Sequence, residues 1–235
     1  MMRVVVIRHH GIDSAGFIGA ALEAQNAELA VHLWPDDGPL PGFDGVDLVV
    51  VLGADSSVND PDPWIAEERD WLRAADAAGV PLLGICFGAQ AICAAFGGQV
   101  EAMASKEIGW TLVDSVDHDL VPVGPWLVFH GDRCLPPPTA TVLARNDVAV
   151  QAFRIGRHLA FQFHPEVDGP LLKSWLDAGG AKDAERLGLD RDRFLADTVR
   201  EEPASRDRAG RLVAAALRIA AESLPLRNVT IGNTP

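Results

Sequence analysis

The amino-acid sequence predicts an α/β protein built as a three-layer sandwich around a mostly parallel central sheet. Short apolar, β-branched runs alternate with helical patterns through the first hundred residues, and Leu48–Leu52 is apolar at every position. A strand without polar alternation is typical of a parallel sheet that helices cover on both faces. Strands that alternate with helices in this way indicate βαβ units.

The elements of the first half follow from these patterns. The predicted strands are Val4–Ile7, Val31–Trp34, Leu48–Leu52 and Pro81–Ile85, and the predicted helices are Ala15–Asn26, Asp62–Ala78 and Gly88–Phe96. The helix Asp62–Ala78 has one inner face with helical spacing, formed by Trp64, Ile65, Glu68, Trp71, Leu72 and Ala75.

The second half predicts short strands and then helices. The strands are Trp110–Val113, Trp126–Phe129, Thr141–Ala144, Val148–Arg154 and His158–Phe163, with a hairpin turn at Ile155–Arg157. Past Asp168 the pattern is helical, with mixed-charge stretches at Asp183–Arg200 and Ser205–Ser223. We expect one domain over residues 1–223 that includes a helical C-terminal extension at about 168–223, followed by a flexible tail at 224–235.

The charge balance disfavours several classes of partner. The chain has 20 Lys and Arg residues against 33 Asp and Glu residues, a formal net charge of −13. Nucleic-acid backbones bind clustered cations, and anionic membranes attract basic runs. A membrane helix needs about 20 apolar residues in a row. The sequence has no basic run and no apolar run of that length. Three cysteines are too few for a disulfide scaffold. We therefore expect a cytoplasmic protein that binds neither nucleic acid nor membrane.

The segment around Cys86 carries the first chemical signal. A buried strand runs into Gly84-x-Cys86-x-Gly88 and then into a helix, which is the pattern of a nucleophile elbow with Cys in place of Ser. The glycines would let the backbone turn sharply, and the helix N-terminus would favour a thiolate. In this geometry the N–H of Phe87 is an oxyanion donor. The alternative is a buried core cysteine, which is our interpretation of Cys93.

The second signal is His164-Pro165-Glu166, which closes the last predicted strand. A Cys nucleophile needs a base, and the base needs a group that orients it. Pro165 lacks an N–H, ends the ladder and lets both side chains leave the sheet. We therefore predict that the fold brings Cys86, His164 and Glu166 together.

With these motifs the sequence resembles the class I glutamine amidotransferases of the Cys-His-Glu type, in particular the free-standing proteins similar to GMP synthase. Further motifs that carry the resemblance are Val51-Leu-Gly53-Ala54, Glu107-Ile-Gly-Trp110 and His130-Gly131-Asp132. The resemblance implies the flavodoxin-like class I amidotransferase fold. It also implies glutamine hydrolysis, in which a Cys attacks the carboxamide, ammonia leaves, and a γ-glutamyl thioester is hydrolysed.

The resemblance also implies a role for each matching residue. Cys86 is the nucleophile, His164 transfers the protons and Glu166 holds the imidazole. The N–H groups of Ala54 and Phe87 form the oxyanion hole. The substrate-binding residues are Gly53, Gln90, His130, Gly131 and Asp132. No cofactor is implied, and no His, Cys or Asp spacing suggests a metal site.

One position departs from the family pattern, which usually has Gly-Gly where this chain has Gly53-Ala54. If the loop requires a positive φ at Ala54, its Cβ costs about 1 kcal/mol. Ala54→Gly would then raise kcat. This motivates one alternative function, a weakly active regulatory or binding module with the same fold.

Other questions of substrate and partner stay open at this point. A second alternative is a hydrolase or transferase of another γ-glutamyl amide. An ammonia-accepting synthetase subunit would be the partner of a glutaminase, and the oligomeric state does not follow from the sequence. His9 and His10 follow the first strand, where open α/β sheets bind ligands, so they either line an acceptor or partner site or lie in a solvated loop. Cys134, in a loop flanked by prolines, has no predicted role.

Overall fold

The computed structural model describes residues 1–222, and its first half alternates strands and helices as the sequence predicts. The elements are β1 (Met2–Arg8), α1 (Gly16–Ala24), β2 (Ala27–Leu33), β3 (Leu48–Val51), α2 (Pro63–Ala77), β4 (Leu82–Ile85) and α3 (Phe87–Ala95). The second half contains β5 (Gln99–Leu112), β6 (Asp114–Ser115), β7 (Pro125–Leu135), β8 (Thr141–Arg145), β9 (Val150–Ile155) and β10 (His158–Phe161). The C-terminal part contains α4 (Gly169–Trp175), a π-helical turn (Leu176–Gly180), α5 (Ala181–Arg186) and α6 (Arg191–Ala220).

The central sheet has eight strands in the order β2-β1-β3-β4-β10-β9-β8-β6. The first five of these strands run parallel to one another, and β9, β8 and β6 continue the sheet with antiparallel pairs. The predicted hairpin between β9 and β10 is confirmed, and Gly156 has the positive φ that its turn needs. The mostly parallel α/β sheet is confirmed.

Helices cover both faces of this sheet because its central strands are apolar on both sides. All four residues of β3 and of β4 are buried. Val4 and Val6 of β1 pack on one face with α1 and α6, whereas Val5 and Ile7 pack on the other face with α2 and α3. Each Å² of apolar surface that is buried contributes about 25 cal/mol to stability. A strand that is apolar on both faces is therefore most stable in the middle layer.

Strands β5 and β7 form a separate antiparallel ribbon that the sequence predicted only in part. The predicted strand Trp110–Val113 overlaps only the C-terminal end of β5, and Trp126–Phe129 lies near the N-terminal end of β7, so both observed strands are much longer than predicted. Most side chains in the first half of β5 are at least partly exposed, so no apolar alternation marked that segment. A register shift between Ala102 and Glu107 interrupts the pairing.

The helical extension also differs from its sequence pattern. The two predicted mixed-charge stretches fall largely within one 30-residue helix, α6, which continues through Pro203. Its buried face packs against α1 and includes Leu212 and Ile219, so the charged residues mark only its outer side. The predicted tail at 224–235 lies outside the described residues. Within residues 1–222, no helix combines the length and apolar character needed to cross a membrane.

Candidate active site

The predicted site residues meet at the carboxyl ends of three neighbouring parallel strands. Gly53 follows β3, Cys86 follows β4 and His164 follows β10, and these strands are adjacent in the sheet. The topology therefore brings together residues that are remote in the sequence, at the edge where open α/β sheets bind ligands. Strand β10 ends at Phe161, earlier than predicted, and this places His164 in the loop beyond the sheet.

Cys86 has a sharply turned backbone between β4 and α3. Its φ of 52° and ψ of −107° are unusual, since Asn26 is the only other described non-glycine residue with a positive φ. Such a conformation costs about 1–3 kcal/mol and persists only where the surroundings hold it. The Cys86 N–H donates to the Phe161 carbonyl at 2.8 Å, and the Cys86 carbonyl accepts from Gln90 N–H at 3.0 Å.

Glycines flank Cys86 because the backbones around it pack closely, not because the glycines themselves turn. Neither Gly84 nor Gly88 has a positive φ. A Cβ on Gly84 would lie 2.5 Å from the Gly88 backbone, and one on Gly88 would lie 2.2 Å from the Val51 carbonyl oxygen. The elbow is therefore as predicted, but Cys86 makes the turn and the glycines let α3 approach the sheet.

His164 and Glu166 form a buried pair beside Cys86. His164 Nδ1 lies 2.7 Å from Glu166 Oε1, and both side chains are almost fully buried. The Glu166 carbonyl accepts from Phe17 N–H at the start of α1, and His164 N–H donates to the Leu127 carbonyl. The backbone on each side of the pair is thereby fixed. Among the described residues, His164 Nε2 has no hydrogen-bond partner.

The electrostatics of this pair favour a protonated imidazole. Burial lowers the pKa of His164, but the charges of Glu166 and Cys86 and the hydrogen bond to Glu166 raise that pKa well above its usual value. A proton that the Cys86 thiol gives up is therefore held favourably on the His164 imidazole. The Cys86 Sγ also lies 3.9 Å from the Phe129 carbonyl oxygen.

The loop after β3 lies directly against Cys86 and His164. A Cβ on Gly53 would be 3.4 Å from His164 Cε1 and 3.7 Å from Cys86 Cβ. Ala54 is not among the described residues with a positive φ, so the strain expected at this position is absent. On the other side of Cys86, Phe87 begins α3, and its N–H has no acceptor within the helix.

The predicted substrate-binding residues are joined by hydrogen bonds around the Asp132 backbone. Gln90 Nε2 donates to the Asp132 carbonyl at 3.4 Å and to Gln162 Oε1 at 3.3 Å. His130 Nδ1 donates to the same Asp132 carbonyl at 2.9 Å. The Asp132 carboxylate accepts from the Ser57 hydroxyl at 2.5 Å. The ribbon is thereby tied to α3 and to the loop after β3.

Glu107 holds the other side of the His130 ring and was not predicted as a site residue. Its Oε2 lies 3.0 Å from His130 Nε2. Burial raises the pKa of Glu107, but His130, Asn146 and Gln151 together lower it below its usual value. The only sequence signal was its place in the Glu107-Ile-Gly-Trp110 motif.

A cavity of about 420 Å³ opens over Cys86. Eight of the ten predicted site residues line it, and the other two, Phe87 and Glu166, lie behind its wall. The lining also includes residues that the sequence did not point to, among them Asp13, Asp55, Ser57, Lys106, Trp175 and Asp183.

The helical extension forms one wall of this cavity. The Trp175 ring packs edge-on against His164, with centroids 4.8 Å apart, and its Nε1 donates to Asp13 Oδ1 at 3.1 Å. Across the opening, Lys106 Nζ of β5 lies 2.5 Å from Asp183 Oδ2 of α5. No motif marked these residues, because their positions depend on how the extension packs.

The two histidines after β1 occupy different places. His10 lines the cavity with a side chain that is 53% exposed, and its place in an acceptor or partner site stays a prediction. His9 is buried behind the loop after β3, so it lies neither in a solvated loop nor on the cavity wall.

The remaining cysteines are buried. Cys93 lies in the core of α3, as predicted, whereas Cys134 lies in strand β7 and not in the predicted loop. Cys86, Cys93 and Cys134 are all free thiols. Within residues 1–222, no group of three or more His, Cys, Asp or Glu side chains is placed to hold a metal ion.

Comparisons of sequence identify the family. The model of the family described as glutamine amidotransferase class-I matches residues 18–175. The GMP synthase [glutamine-hydrolyzing] of Thermomicrobium roseum is 35% identical over 178 residues, which are 69% of this chain and 31% of the relative. The same enzyme of a Thermus thermophilus strain is 33% identical over 147 residues, 57% of this chain and 28% of the relative. The chain thus spans less than a third of these relatives.

Solved structures agree with this family. A glutamine amidotransferase from Thermotoga maritima has a TM-score of 0.82 and 25% identity, and the match covers 94% of this chain and 99% of that one. A glutamine amidotransferase from Methylobacillus flagellatus has a TM-score of 0.84 and 21% identity, and the match covers 96% of this chain and 98% of that one. At this identity the likeness supports the fold alone. The chain belongs to the class-I glutamine amidotransferase family.

Proposed function

We propose that this protein hydrolyses the side-chain amide of glutamine through a γ-glutamyl thioester on Cys86 and supplies the ammonia to an acceptor. The observation that carries the proposal is a thiol held in a strained elbow beside an imidazole whose Nε2 has no described partner. Glu166 holds the other nitrogen of that imidazole. Membership of the family supports the same chemistry.

In the first half of the reaction, His164 takes the thiol proton and the Cys86 sulfur attacks the carboxamide carbon. The N–H groups of Phe87 and Ala54 stabilise the negative charge on the oxygen, a contribution that typically amounts to about 10²–10³ in rate for one donor. His164 then gives its proton to the amide nitrogen, the C–N bond breaks, and ammonia leaves. A thioester between Cys86 and the γ-glutamyl group remains.

In the second half, His164 removes a proton from a water molecule that attacks the thioester. The C–S bond breaks, glutamate leaves, and the Cys86 thiol is restored. Glu166 keeps the imidazole oriented through both halves and stabilises its protonated form, as the orienting carboxylate of a triad does. The raised pKa of His164 suits its role as the acid that protonates ammonia.

The ribbon side of the cavity would hold the amino-acid end of glutamine. Gln90, Gly131 and Asp132 line the cavity, and Asp132 supplies a carboxylate that an α-ammonium group can pair with. His130 supports this segment through its bond to the Asp132 carbonyl. Gly53 has no side chain, and this leaves the substrate amide room beside Cys86.

The acceptor of the ammonia is not identified. The relatives compared above are named GMP synthase, and this chain matches less than a third of their length. We infer that a synthetase partner would receive ammonia directly from the cavity, because ammonia that escapes into neutral water is protonated and loses its nucleophilicity.

A second candidate substrate is another γ-glutamyl amide. A cavity of about 420 Å³ falls within the range of about 300–1,000 Å³ that ligand pockets span, so it leaves room for a substituent on the amide nitrogen. The weak-module hypothesis loses its motivation, since it depended on strain at Ala54.

The test is glutamate release by the purified protein from glutamine and from γ-glutamyl-p-nitroanilide. We expect the wild type and the control Cys93→Ser to release glutamate, and Cys86→Ser to release none because a hydroxyl ionises far less readily than a thiol. Activity that survives in Cys86→Ser would contradict the proposal. Hydrolysis of the anilide without hydrolysis of glutamine would favour the second candidate.

A further inference from the structure

A second buried histidine–carboxylate pair lies directly behind the loop after β3, and the proposed mechanism does not use it. His9 follows β1 and Glu68 lies on α2, with side chains 3% and 0% exposed. The same face of α2 otherwise buries apolar residues, including Ile65 and Leu72. Taking two charges out of water is costly, so this pair does not serve stability efficiently.

The hydrogen bonds of His9 define where its protons lie. Nδ1 is 2.9 Å from the Gly53 carbonyl oxygen, and a carbonyl only accepts, so Nδ1 carries a hydrogen. Nε2 is 3.0 Å from Glu68 Oε2. Burial lowers the pKa of His9, but the charge of Glu68 and the hydrogen bonds to Glu68 and Gly53 raise it above its usual value. His9 is thereby held as a donor to Gly53.

This contact acts on the peptide that carries a proposed oxyanion donor. The Gly53 carbonyl and the Ala54 N–H belong to one peptide unit, and that unit is trans. In a trans peptide the two groups point in opposite directions. Holding the carbonyl against His9 therefore fixes the direction of the Ala54 N–H. Donation to the carbonyl also polarises the peptide and strengthens its N–H as a donor.

The same imidazole touches the residue that carries the other proposed donor. The His9 ring lies 4.9 Å from the Phe87 ring, nearly edge-on, and 5.4 Å from the Trp64 ring. Trp64 and Phe87 pack against each other at 5.5 Å. These rings fix the plane of the imidazole, so its Nδ1–H keeps one direction.

We propose that His9 is a positioning residue for the oxyanion hole, which it organises by holding the Gly53–Ala54 peptide, and that Glu68 holds His9 in its donor form. The inference rests on the proposed thioester mechanism, because only a reaction with a developing oxyanion needs this hole. The inference adds a role for His9 and Glu68, whose side chains do not touch the substrate.

Two isosteric substitutions separate positioning from structure. Asn at position 9 places an amide nitrogen where Nδ1 lies and can still donate to Gly53, but it loses Glu68. Gln places its amide where Nε2 lies, so it can still pair with Glu68 but loses Gly53. We therefore expect His9→Asn to keep most of the kcat of the wild type. His9→Gln should have a lower kcat than His9→Asn but a higher melting temperature.

His9→Ala removes both contacts. We expect its kcat for glutamine to fall about tenfold to a hundredfold, with KM within about twofold, because an oxyanion contact acts in the transition state and not on bound substrate. Alkylation of Cys86 by iodoacetamide forms no oxyanion. Its rate should therefore stay within about twofold of the wild type in all three variants.

Hydrolysis of p-nitrophenyl acetate by the Cys86 thiol, measured in parallel, separates this proposal from the proposed function. Ester hydrolysis needs the oxyanion hole but no recognition of glutamine. A wild type that hydrolyses the ester but not glutamine would refute the glutaminase, and the order of the His9 variants on the ester would still test positioning. The inference would be overturned if kcat followed the melting temperature, so that His9→Gln had a higher kcat than His9→Asn. An unchanged kcat in His9→Ala would also overturn it.

Discussion

Two buried histidine–carboxylate pairs lie on either side of Gly53, and they differ in what the second imidazole nitrogen faces. His164 lies 2.7 Å from Glu166 and His9 lies 3.0 Å from Glu68, and in both pairs the carboxylate raises the pKa of the histidine against the effect of burial. His164 Nε2 has no hydrogen-bond partner among the described residues, whereas His9 Nδ1 is bonded to the Gly53 carbonyl.

This difference separates two uses of the same pair of side chains. An imidazole with an unpaired nitrogen beside a thiol can take up and release a proton during a reaction. An imidazole with both nitrogens engaged has no such freedom and can only hold what it is bonded to. We therefore assign proton transfer to His164 and positioning to His9 as proposals, and variants of the two pairs should behave differently.

The largest expected effect is that of His164→Ala. Loss of the base of a catalytic triad costs about 10⁴–10⁶ in rate, far more than the tenfold to hundredfold loss expected for His9→Ala. The measurement is kcat/KM for glutamine, with the circular dichroism spectrum as a check on folding. Equal losses in the two variants would remove the distinction between the pairs, and full activity in His164→Ala would refute the base.

Glu166→Gln should cost less than His164→Ala, by about one to two orders of magnitude, because Glu166 orients the imidazole and transfers no proton. It should also change the pH profile. Burial lowers the pKa of His164 and the charge of Glu166 raises it, so neutralising Glu166 lowers that pKa. Protonated His164 is the acid for the leaving ammonia, and activity is lost as the pH rises through its pKa.

The basic limb of the kcat/KM profile should therefore move to lower pH in Glu166→Gln. A rate profile from about pH 6 to 10 measures this shift, and Glu68→Gln is the matched control. A basic limb that stays in place in Glu166→Gln would contradict the role of Glu166.

Glu68→Gln should lower kcat by less than about threefold. The Gln amide can donate to Nε2 of a neutral His9, which leaves Nδ1–H bonded to Gly53. Steady-state kinetics on glutamine or p-nitrophenyl acetate measure this effect. A loss as large as that of Glu166→Gln would mean that both carboxylates support the same step.

The smallest expected effect is that of Ala54→Gly. Because Ala54 has no positive φ, glycine relieves no strain, and kcat should stay within about twofold. The melting temperature should fall slightly, since glycine adds about 0.5–1 kcal/mol of unfolded-state backbone entropy. A tenfold rise in kcat would restore the expectation drawn from the sequence, that Ala54 distorts the loop.

The features that the sequence predicts well have local signals. The strand Leu48–Leu52, the elbow around Cys86 and the His164-Pro165-Glu166 turn each show their character within a few residues. The parallel topology then leaves little choice about where these segments meet, because the carboxyl ends of parallel strands share one edge. The central sheet and the neighbourhood of Cys86 and His164 were therefore predictable.

The features that the sequence does not predict depend on contacts between distant segments. Glu68 was visible on the inner face of its helix, but nothing in the sequence paired it with His9. Trp175 lies over His164 because the extension folds back across the cavity, and the exposed first half of β5 has no apolar alternation. The φ of Ala54 depends on how its loop is held, which a residue type does not reveal.

The most direct test of the central claim is the site of labelling by an electrophilic glutamine analogue such as 6-diazo-5-oxo-norleucine. If Cys86 is the nucleophile that forms the thioester, peptide mass spectrometry should find one adduct, on Cys86, and excess glutamine should slow its formation. Cys93 and Cys134 are fully buried and do not line the cavity, so they should stay unmodified. An adduct on either of them with Cys86 unlabelled would contradict the account.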